Sequence, residues 1–262
     1  MAELITGFSI LRQTGTSHIE SRIADQYSMV SDVPNKAVRF ESLGDHTNAL
    51  RLGNTLPVGS VEFMRKAMAL AGIIEPANIS YPEVLRGYLR REVKQRLAGQ
   101  VLGHWFIKPV TTKAFTGFVF DTLGNPEHLS GYDRAQYNVF LSLPPDTPVW
   151  ISEPVTWLSE FRYYVINGEV RGDGRYDDAP DDMPAPDRSL VSEMAWLMAC
   201  DNDPLAAFSL DVGVLDSGET ALIECNDAWA LGYYKGSLSH KDYILMLRMR
   251  WEQMIQTQRN RE

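Results

Sequence analysis

The stretch 208–233 constrains the fold of this chain more than any other, because it predicts two antiparallel strands joined by a tight turn. Apolar residues alternate with other residues from 208 to 214, which is the period of a strand. A second apolar segment spans 221–224, and the sequence DSGE at 216–219 lies between the two. Because glycine takes a positive φ without strain, Gly218 favours a tight turn, and we expect a β-hairpin.

Three side chains with oxygen donors lie on this hairpin: Asp211 on its first strand, and Glu224 and Asn226 on its second. Residues two apart on a strand point to the same face, so Glu224 and Asn226 share one, and the turn can fold Asp211 back beside them. Two carboxylates and an amide oxygen are hard ligands that suit Mg²⁺. The alternative is three ordinary solvent-facing residues, although the apolar residues before Glu224 indicate a buried strand. Cys225 is expected to point to the opposite, buried face.

The composition is that of an ordinary soluble protein. The 262 residues carry a net charge of −9, which argues against a protein that coats nucleic acid. The two cysteines, Cys200 and Cys225, make neither a zinc cluster nor a disulfide framework. No apolar run approaches the ~20 residues of a membrane span, and the N-terminus lacks the pattern of a signal peptide. We therefore expect a cytoplasmic protein with neither a membrane nor a nucleic-acid partner, and the sequence leaves the oligomeric state open.

Residues 1–100 are expected to form an α/β section of their own, which ends at the glycines of 99–103. Within it, Ser60 has the side chain of a good helix N-cap. The expected elements are a strand at 4–11, a helix within 14–34, a strand at 37–40, a loop at 54–60 and a helix at 61–71.

A second helix is predicted from Ser80 to about residue 97, because Pro82 suits the first turn of a helix and apolar residues recur at helical spacing. Its other face is basic. That face is either simply solvated or a wall that attracts an anionic substrate or nucleotide. The basic residues are Arg86, Arg90, Arg91, Lys94 and Arg96.

From residue 105 the pattern changes to strands. An apolar strand at 105–109 carries Lys108 near its end, a turn-rich loop with Lys113 follows at 110–117, and a second strand lies at 118–120. Such a loop between strands can form a flap whose backbone N–H groups cover phosphates, with positive charge from the two lysines. The simpler alternative is a strand that ends in a lysine exposed to water.

A strand at 149–152 is stopped by Glu153 and Pro154, since proline cannot donate to a strand ladder. The irregular segment that follows exposes backbone groups suited to the edge of an adenine. On the next strand, at 159–166, Glu160 could bind ribose hydroxyls. Arg162, and Arg175 after the Asn-Gly turn at 167–168, are candidate forks for phosphate or carboxylate. The alternative for Glu160 and Arg162 is a pair on the sheet surface.

Three ordered motifs together resemble the ATP-grasp superfamily: FIKP at 106–109, the spacing of Glu153 and Glu160, and the Asp211…Glu224-Cys225-Asn226 set. The most specific match is the spacing of the last set. The resemblance covers roughly residues 100 to 240. More narrowly, the sequences KP…K…FTG, SEPV…EFRYYV and IECN…GY look like the R-two-K clade, which is common in phages and bacteria.

The resemblance implies an α+β fold in which two α+β subdomains, 101–150 and 151–262, hold the nucleotide, behind an N-terminal section, 1–100, on the substrate side. Residues 101–150 would carry the flap, and 151–262 the hinge and the metal ligands. The resemblance also implies a role for each matched position: Lys108 for the α- and β-phosphates, Lys113 for the flap, Glu153, Pro154 and Val155 for adenine, Glu160 for ribose, and Asp211, Glu224 and Asn226 for Mg²⁺, with Mn²⁺ possible.

The implied activity is an ATP- and Mg²⁺-dependent carboxylate–amine ligase that forms an amide through an acylphosphate and releases ADP. Its partners would be small-molecule or peptide carboxylates and amines. Arg162, Arg175 and Lys113 would stabilise the transferring phosphoryl group. Two rival functions are a phosphotransferase on the same scaffold and a nucleotide-binding protein without catalysis. Many members of the superfamily have an arginine where this chain has Ser209, and Arg175 is a candidate replacement.

The remaining stretches are less specific. The acidic, proline-rich segment 173–187 is either a mobile cover of the site or a solvated loop. A helix is predicted at 189–200, and a final helix with an apolar stripe is expected to pack against the sheet. The substrate would meet the phosphate at 227–235, where Trp229, Gly232 and Tyr233 are expected to shape the pocket.

Overall fold

The computed structural model describes residues 7–111 and 114–261, which fold into helices and three β-sheets. No helix of the described residues combines the length and the apolar character that crossing a membrane requires.

The first sheet is parallel and belongs to the N-terminal section, with strand order β2-β1-β3. The prediction of a helix at 61–71 is confirmed, and its N-cap Ser60 accepts a hydrogen bond from the Phe63 N–H at 3.2 Å. The elements are β1 (Ser9–Gln13), α1 (Ile19–Ser31), β2 (Asn35–Val38), a 3₁₀ helix (Glu41–His46), α2 (Thr47–Leu52), β3 (Thr55–Val58) and α3 (Val61–Ala71). The first strand, predicted at 4–11, is found as β1, and the first residues of that prediction lie outside the described residues.

The loop predicted at 54–60 was wrong, because it contains strand β3, whose four residues are all buried. Pro57 gave the sequence the appearance of a loop. A proline fits here because β3 is the edge strand of its sheet, where one side of the backbone needs no ladder partner.

The second sheet is antiparallel, with strand order β4-β7-β5-β6. Aromatic side chains of β6 and α4 pack together in its core, with Phe120 and Phe140 rings 5.1 Å apart between centroids. The elements are β4 (Val93–Leu97), β5 (His104–Pro109), β6 (Phe118–Asp121), α4 (Gly131–Leu141) and β7 (Pro148–Ser152).

The helix predicted from Ser80 to residue 97 was wrong. A short 3₁₀ helix, Glu83–Tyr88, is followed by Arg90 with a φ of 52°, and the chain then extends into β4. The apolar residues that suggested the helix are indeed buried, but β4 is held by pairing with β7, a long-range contact that outweighs local periodicity. The domain boundary predicted at residue 100 stays a prediction. Strand β4, which precedes that residue, lies in the same sheet as β5, which follows it.

The third sheet is also antiparallel, with strand order β11-β10-β8-β9. The predicted hairpin is present as β10 and β11, and Asn167 and Gly168, with φ of 49° and 77°, form the predicted turn between β8 and β9. The elements are β8 (Trp157–Ile166), β9 (Glu169–Arg175), α5 (Arg188–Ala199), β10 (Ala207–Leu215), β11 (Thr220–Asp227) and α6 (His240–Arg259).

The two faces of this third sheet belong to different cores. On β8, Tyr163 and Val165 pack on the side of α5, whereas Tyr164 and Ile166 pack with α6 and the N-terminal section. The alternation follows from the period of two in a strand. The final helix therefore packs against the sheet, as predicted, and it also joins the sheet to the N-terminal section.

Candidate active site

A cavity of about 1100 Å³ is lined by residues of all three sheets and by the segments between them. This is large enough for a nucleotide together with a second ligand, since single small-molecule sites occupy roughly 300–1,000 Å³. Five segments contribute to its walls: 57–61 from the end of β3 to the start of α3, 76–81 before the 3₁₀ helix Glu83–Tyr88, 114–117 before β6, 152–155 from the end of β7, and 223–227 on β11.

The hairpin brings Asp211, Glu224 and Asn226 together: Glu224 and Asn226 line the cavity, and the Asp211 side chain is buried beside them. Asp211 on β10 is the register partner of Glu224 on β11. The Asn226 amide nitrogen lies 3.2 Å from Asp211 Oδ2 and 3.4 Å from Glu224 Oε1, so three side chains with oxygen donors converge. Cys225, between the two β11 residues, is buried on the opposite face.

Arg162 on β8 holds Asp211 in a two-point ion pair. Its Nε and Nη2 each donate a hydrogen bond of 2.7 Å, one to each carboxylate oxygen. Burial opposes the charge of Arg162, but the Asp211 carboxylate outweighs it and raises the pKa of the guanidinium above its ordinary value. The guanidinium also lies 5.0 Å from the centroid of the Tyr234 ring, which stacks on Tyr176.

Lys108 on β5 reaches across the cavity to the other carboxylate. Its Nζ donates to Glu224 and, at 3.2 Å, to the hydroxyl of Ser80, and it lies 5.1 Å from the centroid of the Tyr81 ring. Burial by itself would lower the pKa of Lys108, but the charge of Glu224 outweighs it, so the pKa is raised. Both carboxylates are therefore compensated by cations, Asp211 by Arg162 of the neighbouring strand β8 and Glu224 by Lys108 of β5 in the second sheet.

The segment between β7 and β8 presents free backbone to the cavity. Pro154 and Val155 line it, and no hydrogen bond joins the Val155 backbone to any residue that the structure describes. Glu153 also lines the cavity, but its carboxylate accepts a hydrogen bond from the Glu92 N–H at 3.1 Å. An unused N–H and C=O in a cavity wall can recognise a base with a donor and an acceptor on one edge.

Glu160, on β8, lines the same part of the cavity. Its carboxylate accepts a hydrogen bond of 3.1 Å from the Tyr176 hydroxyl. Burial raises the pKa of Glu160, and the nearby carboxylates of Asp177 and Asp211 raise it further. The carboxyl oxygens of Glu160 can accept hydrogen bonds from a polar ligand, and the bond from Tyr176 holds the side chain in place.

One of the residues predicted for catalysis is not brought to this site. Arg175 does not line the cavity; its guanidinium binds both carboxylate oxygens of Asp177 at 2.7–3.0 Å and the Pro180 carbonyl at 2.9 Å. Asp177 in turn accepts from the Glu160 N–H at 2.6 Å. Lys113 lies outside the described residues. Ser209, where an arginine was expected, is fully buried and its hydroxyl has no partner among the described residues.

Sequence reasoning missed the contribution of residues 76–81, which precede the 3₁₀ helix Glu83–Tyr88 and line the cavity. The Cys225 N–H donates to the Ser80 carbonyl at 2.9 Å, which ties this segment to β11 between Glu224 and Asn226. Arg91 makes a second connection to β11, because its guanidinium donates to the carbonyls of Leu222 and Ile223 at 2.8 and 3.0 Å. The basic residues predicted on one helix face had suggested a wall for anions, but nothing in the sequence indicates these carbonyl partners.

The donor set fits a divalent cation. Two carboxylates and one amide are the oxygen ligands that Mg²⁺ and Mn²⁺ accept, with further positions left for water or phosphate. No group of three or more His, Cys, Asp and Glu side chains able to hold a metal occurs in the described residues, so an ion here would rely on the amide of Asn226.

Comparison with known families gives one match, to the model of the ATP-grasp domain of the R-two-K clade, family 3, over residues 42–247. No curated protein matches the chain.

Comparison with solved structures shows which fold the chain has. A D-alanine–D-alanine ligase from Bacillus anthracis, solved with ATP, superposes with a TM-score of 0.56 at 13% identity, over 97% of this chain and 100% of the ligase. The ATP-grasp ligase PsnB with a minimal precursor gives 0.52 at 12% identity, over 92% and 99%. An L-amino acid ligase from Bacillus licheniformis gives 0.50 at 11%, over 95% and 74%. The similarity extends through the N-terminal section as well as the two larger sheets.

Proposed function

The chain belongs to family 3 of the R-two-K clade of ATP-grasp domains and has the ATP-grasp fold, and from this premise we propose that it is an ATP-dependent carboxylate–amine ligase. It uses ATP to activate a carboxylate as an acylphosphate, which an amine then converts to an amide. The observation that carries the proposal is the convergence of two cations, two carboxylates and an amide beside a cavity that also offers free backbone.

The proposed nucleotide site runs along the cavity wall. The free backbone of Val155 recognises the adenine edge, and Glu160 accepts hydrogen bonds from the ribose hydroxyls. Lys108 faces the phosphates, covered by the flap before β6, whose described residues 114–117 line the cavity.

Asp211, Glu224 and Asn226 would hold Mg²⁺, with Mn²⁺ as a substitute. When bound there, the ion supplies positive charge that neutralises the phosphates and the developing charge of the transferring group. Because that charge also compensates the two carboxylates, Lys108 is then free to donate to phosphate oxygens. Arg162 keeps its two bonds to Asp211 and still has Nη1 for a further acceptor.

The reaction then depends on how the protein positions the substrates, and no side chain has to act as a covalent nucleophile. A carboxylate oxygen of the substrate attacks the γ-phosphorus, the bond from that phosphorus to the β–γ bridging oxygen breaks, and ADP leaves. In the second step the nitrogen of an amine attacks the acyl carbon, inorganic phosphate leaves, and the nitrogen loses a proton. The names of the similar structures, ligases of D-alanine, of L-amino acids and of a peptide precursor, support carboxylate substrates of the amino-acid or peptide class.

The test is trapping of the acylphosphate. Purified protein is incubated with ATP, Mg²⁺, a panel of carboxylic acids and hydroxylamine, and ADP and hydroxamate are measured. The proposal predicts that both form, in equal amounts, with at least one carboxylate of the panel. A phosphorylated product that hydroxylamine does not cleave would identify a phosphotransferase instead, and ADP without any trapped acyl group would contradict the ligase.

A further inference from the structure

A carboxylate of the N-terminal section faces the proposed active site. Glu20, in the first turn of α1, lines the cavity, and its Oε1 accepts a hydrogen bond from the Tyr233 N–H at 3.3 Å. No ion pair joins Glu20 to a cationic side chain of the described residues. A carboxylate that is held in place in a cavity without a cation is suited to bind the cation of a ligand.

Gly232 lies close to both Glu20 and Arg162. A Cβ atom at this position would lie 3.7 Å from Arg162 Nη1 and 3.9 Å from Glu20 Oε1, with no other atom closer. These are ordinary contact distances, and the backbone is not in the left-handed region, so neither strain nor crowding by the protein requires glycine here. A side chain would, however, occupy space within contact distance of both the guanidinium and the carboxylate.

Arg162 has one nitrogen available on this side. Its Nε and Nη2 are bonded to Asp211, and no hydrogen bond joins Nη1 to any residue of the described part of the chain. A cationic donor and an anionic acceptor therefore both lie less than 4 Å from the position that a Cβ atom would take at Gly232.

We propose that the carboxylate substrate is an α-amino acid, bound as a zwitterion above Gly232. Its ammonium donates to Glu20 and its carboxylate accepts from Arg162 Nη1. An α-amino acid suits this place because both partners lie within 4 Å of one point and only one carbon separates its ammonium from its carboxylate. This inference rests on the proposed function, since it names the substrate of that site.

The wild-type protein tests the inference with matched pairs of acids in the hydroxamate assay. Each pair consists of an amino acid, in both enantiomers, and the same acid without its amino group: alanine and propionate, leucine and 4-methylpentanoate, phenylalanine and 3-phenylpropionate. At least one amino acid should react with a kcat/KM about tenfold to a hundredfold above its partner, which is what a charge-assisted hydrogen bond contributes. Equal reaction of all pairs would overturn the inference while leaving the ligase proposal intact.

The variant Glu20→Gln separates charge from structure, because the amide can still accept from the Tyr233 N–H. It should raise the KM for the amino acid about tenfold to a hundredfold, remove the preference over the partner acid, and leave the Kd for ATP unchanged. Retention of the preference would contradict the role of Glu20.

Gly232→Ala provides a second, steric test. It should raise the KM for the amino acid without changing ATP affinity, whereas the control Gly87→Ala, whose Cβ meets nothing within 4 Å, should change neither. A Gly232→Ala variant with unchanged KM would contradict the proposed position above this residue. If no carboxylate of any kind yields a hydroxamate in the wild type, the proposed function fails and this inference fails with it.

Discussion

The two ion pairs at the cavity wall differ in how firmly the protein holds them. Arg162 and Asp211 share two bonds on adjacent strands of one sheet, and only 12% and 3% of their side-chain surfaces are exposed. Lys108 and Glu224 meet at a single nitrogen across two different sheets, with 16% and 24% exposed. Both partners of the first pair thus belong to one sheet and are more buried, whereas the second pair joins two sheets and is more exposed to water. This difference predicts that the Arg162 pair supports the fold and that the Lys108 pair is exchanged when ligand binds.

The largest expected effect is on catalysis. Glu224→Ala should lower turnover by at least about a thousandfold, because the metal charge it would hold contributes several kcal/mol to the transition state. The fold should persist, since the residue is partly exposed and its partner Lys108 gains access to water. ADP release and a thermal melt are the measurements, with Glu219→Ala at the exposed hairpin turn as control. Activity that survives would show that the metal assignment is wrong.

The next effect is on stability. Arg162→Ala leaves the Asp211 carboxylate buried without a cation, and we expect the free energy of unfolding to fall by about 3–5 kcal/mol. Denaturant unfolding measures this. Arg250→Ala is the matched control, because Arg250 makes the same two-point pair with Asp227, at 2.7 Å for each bond, on the face toward α6.

Both variants should lose similar stability, and a loss below about 1 kcal/mol for Arg162→Ala alone would contradict the view of that pair as part of the sheet. At a temperature where the variant remains folded, Arg162→Ala should also impair acylphosphate formation.

Lys108→Ala should show the opposite balance. Its stability should change by less than about 1 kcal/mol, because Glu224 is partly exposed and can be hydrated. The affinity for ATP should fall about tenfold to a hundredfold as a charge-assisted phosphate contact is lost. Calorimetry measures it, with Lys94→Ala on the edge strand β4, where the partner Glu92 is exposed, as control. A large loss of stability with unchanged ATP affinity would reverse the comparison between the two pairs.

The smallest expected effect concerns the pair of Arg175 and Asp177, which does not line the cavity. Partial burial disfavours the Asp177 charge, but the Arg175 hydrogen bonds outweigh it and lower the pKa of Asp177 to about 2. A depressed pKa stabilises the fold above the ordinary value of the carboxyl, and this stability is lost as the pH falls toward the folded pKa.

Asp177→Asn should therefore be less stable than the wild type at pH 6, and the difference should shrink below about pH 4 and vanish near pH 2. Unfolding curves at several pH values measure it. A difference that is constant with pH would show that the hydrogen bonds, and not the charge, stabilise this loop.

The sequence was sufficient for the parts of the site that follow from local pattern. The period of two on β11 predicted that Glu224 and Asn226 share a face, and the turn chemistry predicted that Asp211 returns beside them, as the register shows. Lys108 was predicted to reach the cavity because it lies at the end of an apolar strand, and the segment 153–155 because Pro154 ends the strand before it; both line the cavity.

The sequence was not sufficient where long-range contacts decide. Apolar residues at helical spacing lead into β4 and end at its first residue, Val93, and only the pairing with β7 makes β4 a strand. Arg91 binds carbonyls of β11, and carbonyl partners leave no trace in the identity of the residues that carry them. Glu20 meets Tyr233 across 213 positions of the chain, a distance at which spacing carries no information.

The most direct test of a Mg²⁺–ATP site at the β10–β11 hairpin is a calorimetric titration of the protein with a non-hydrolysable ATP analogue, with and without Mg²⁺. Such a site predicts saturable binding of one nucleotide per chain with Mg²⁺, at least tenfold weaker binding with a chelator, and the same weakening in Glu224→Ala with Mg²⁺ present. An absence of binding under all of these conditions, or binding that neither the chelator nor the variant affects, would contradict it.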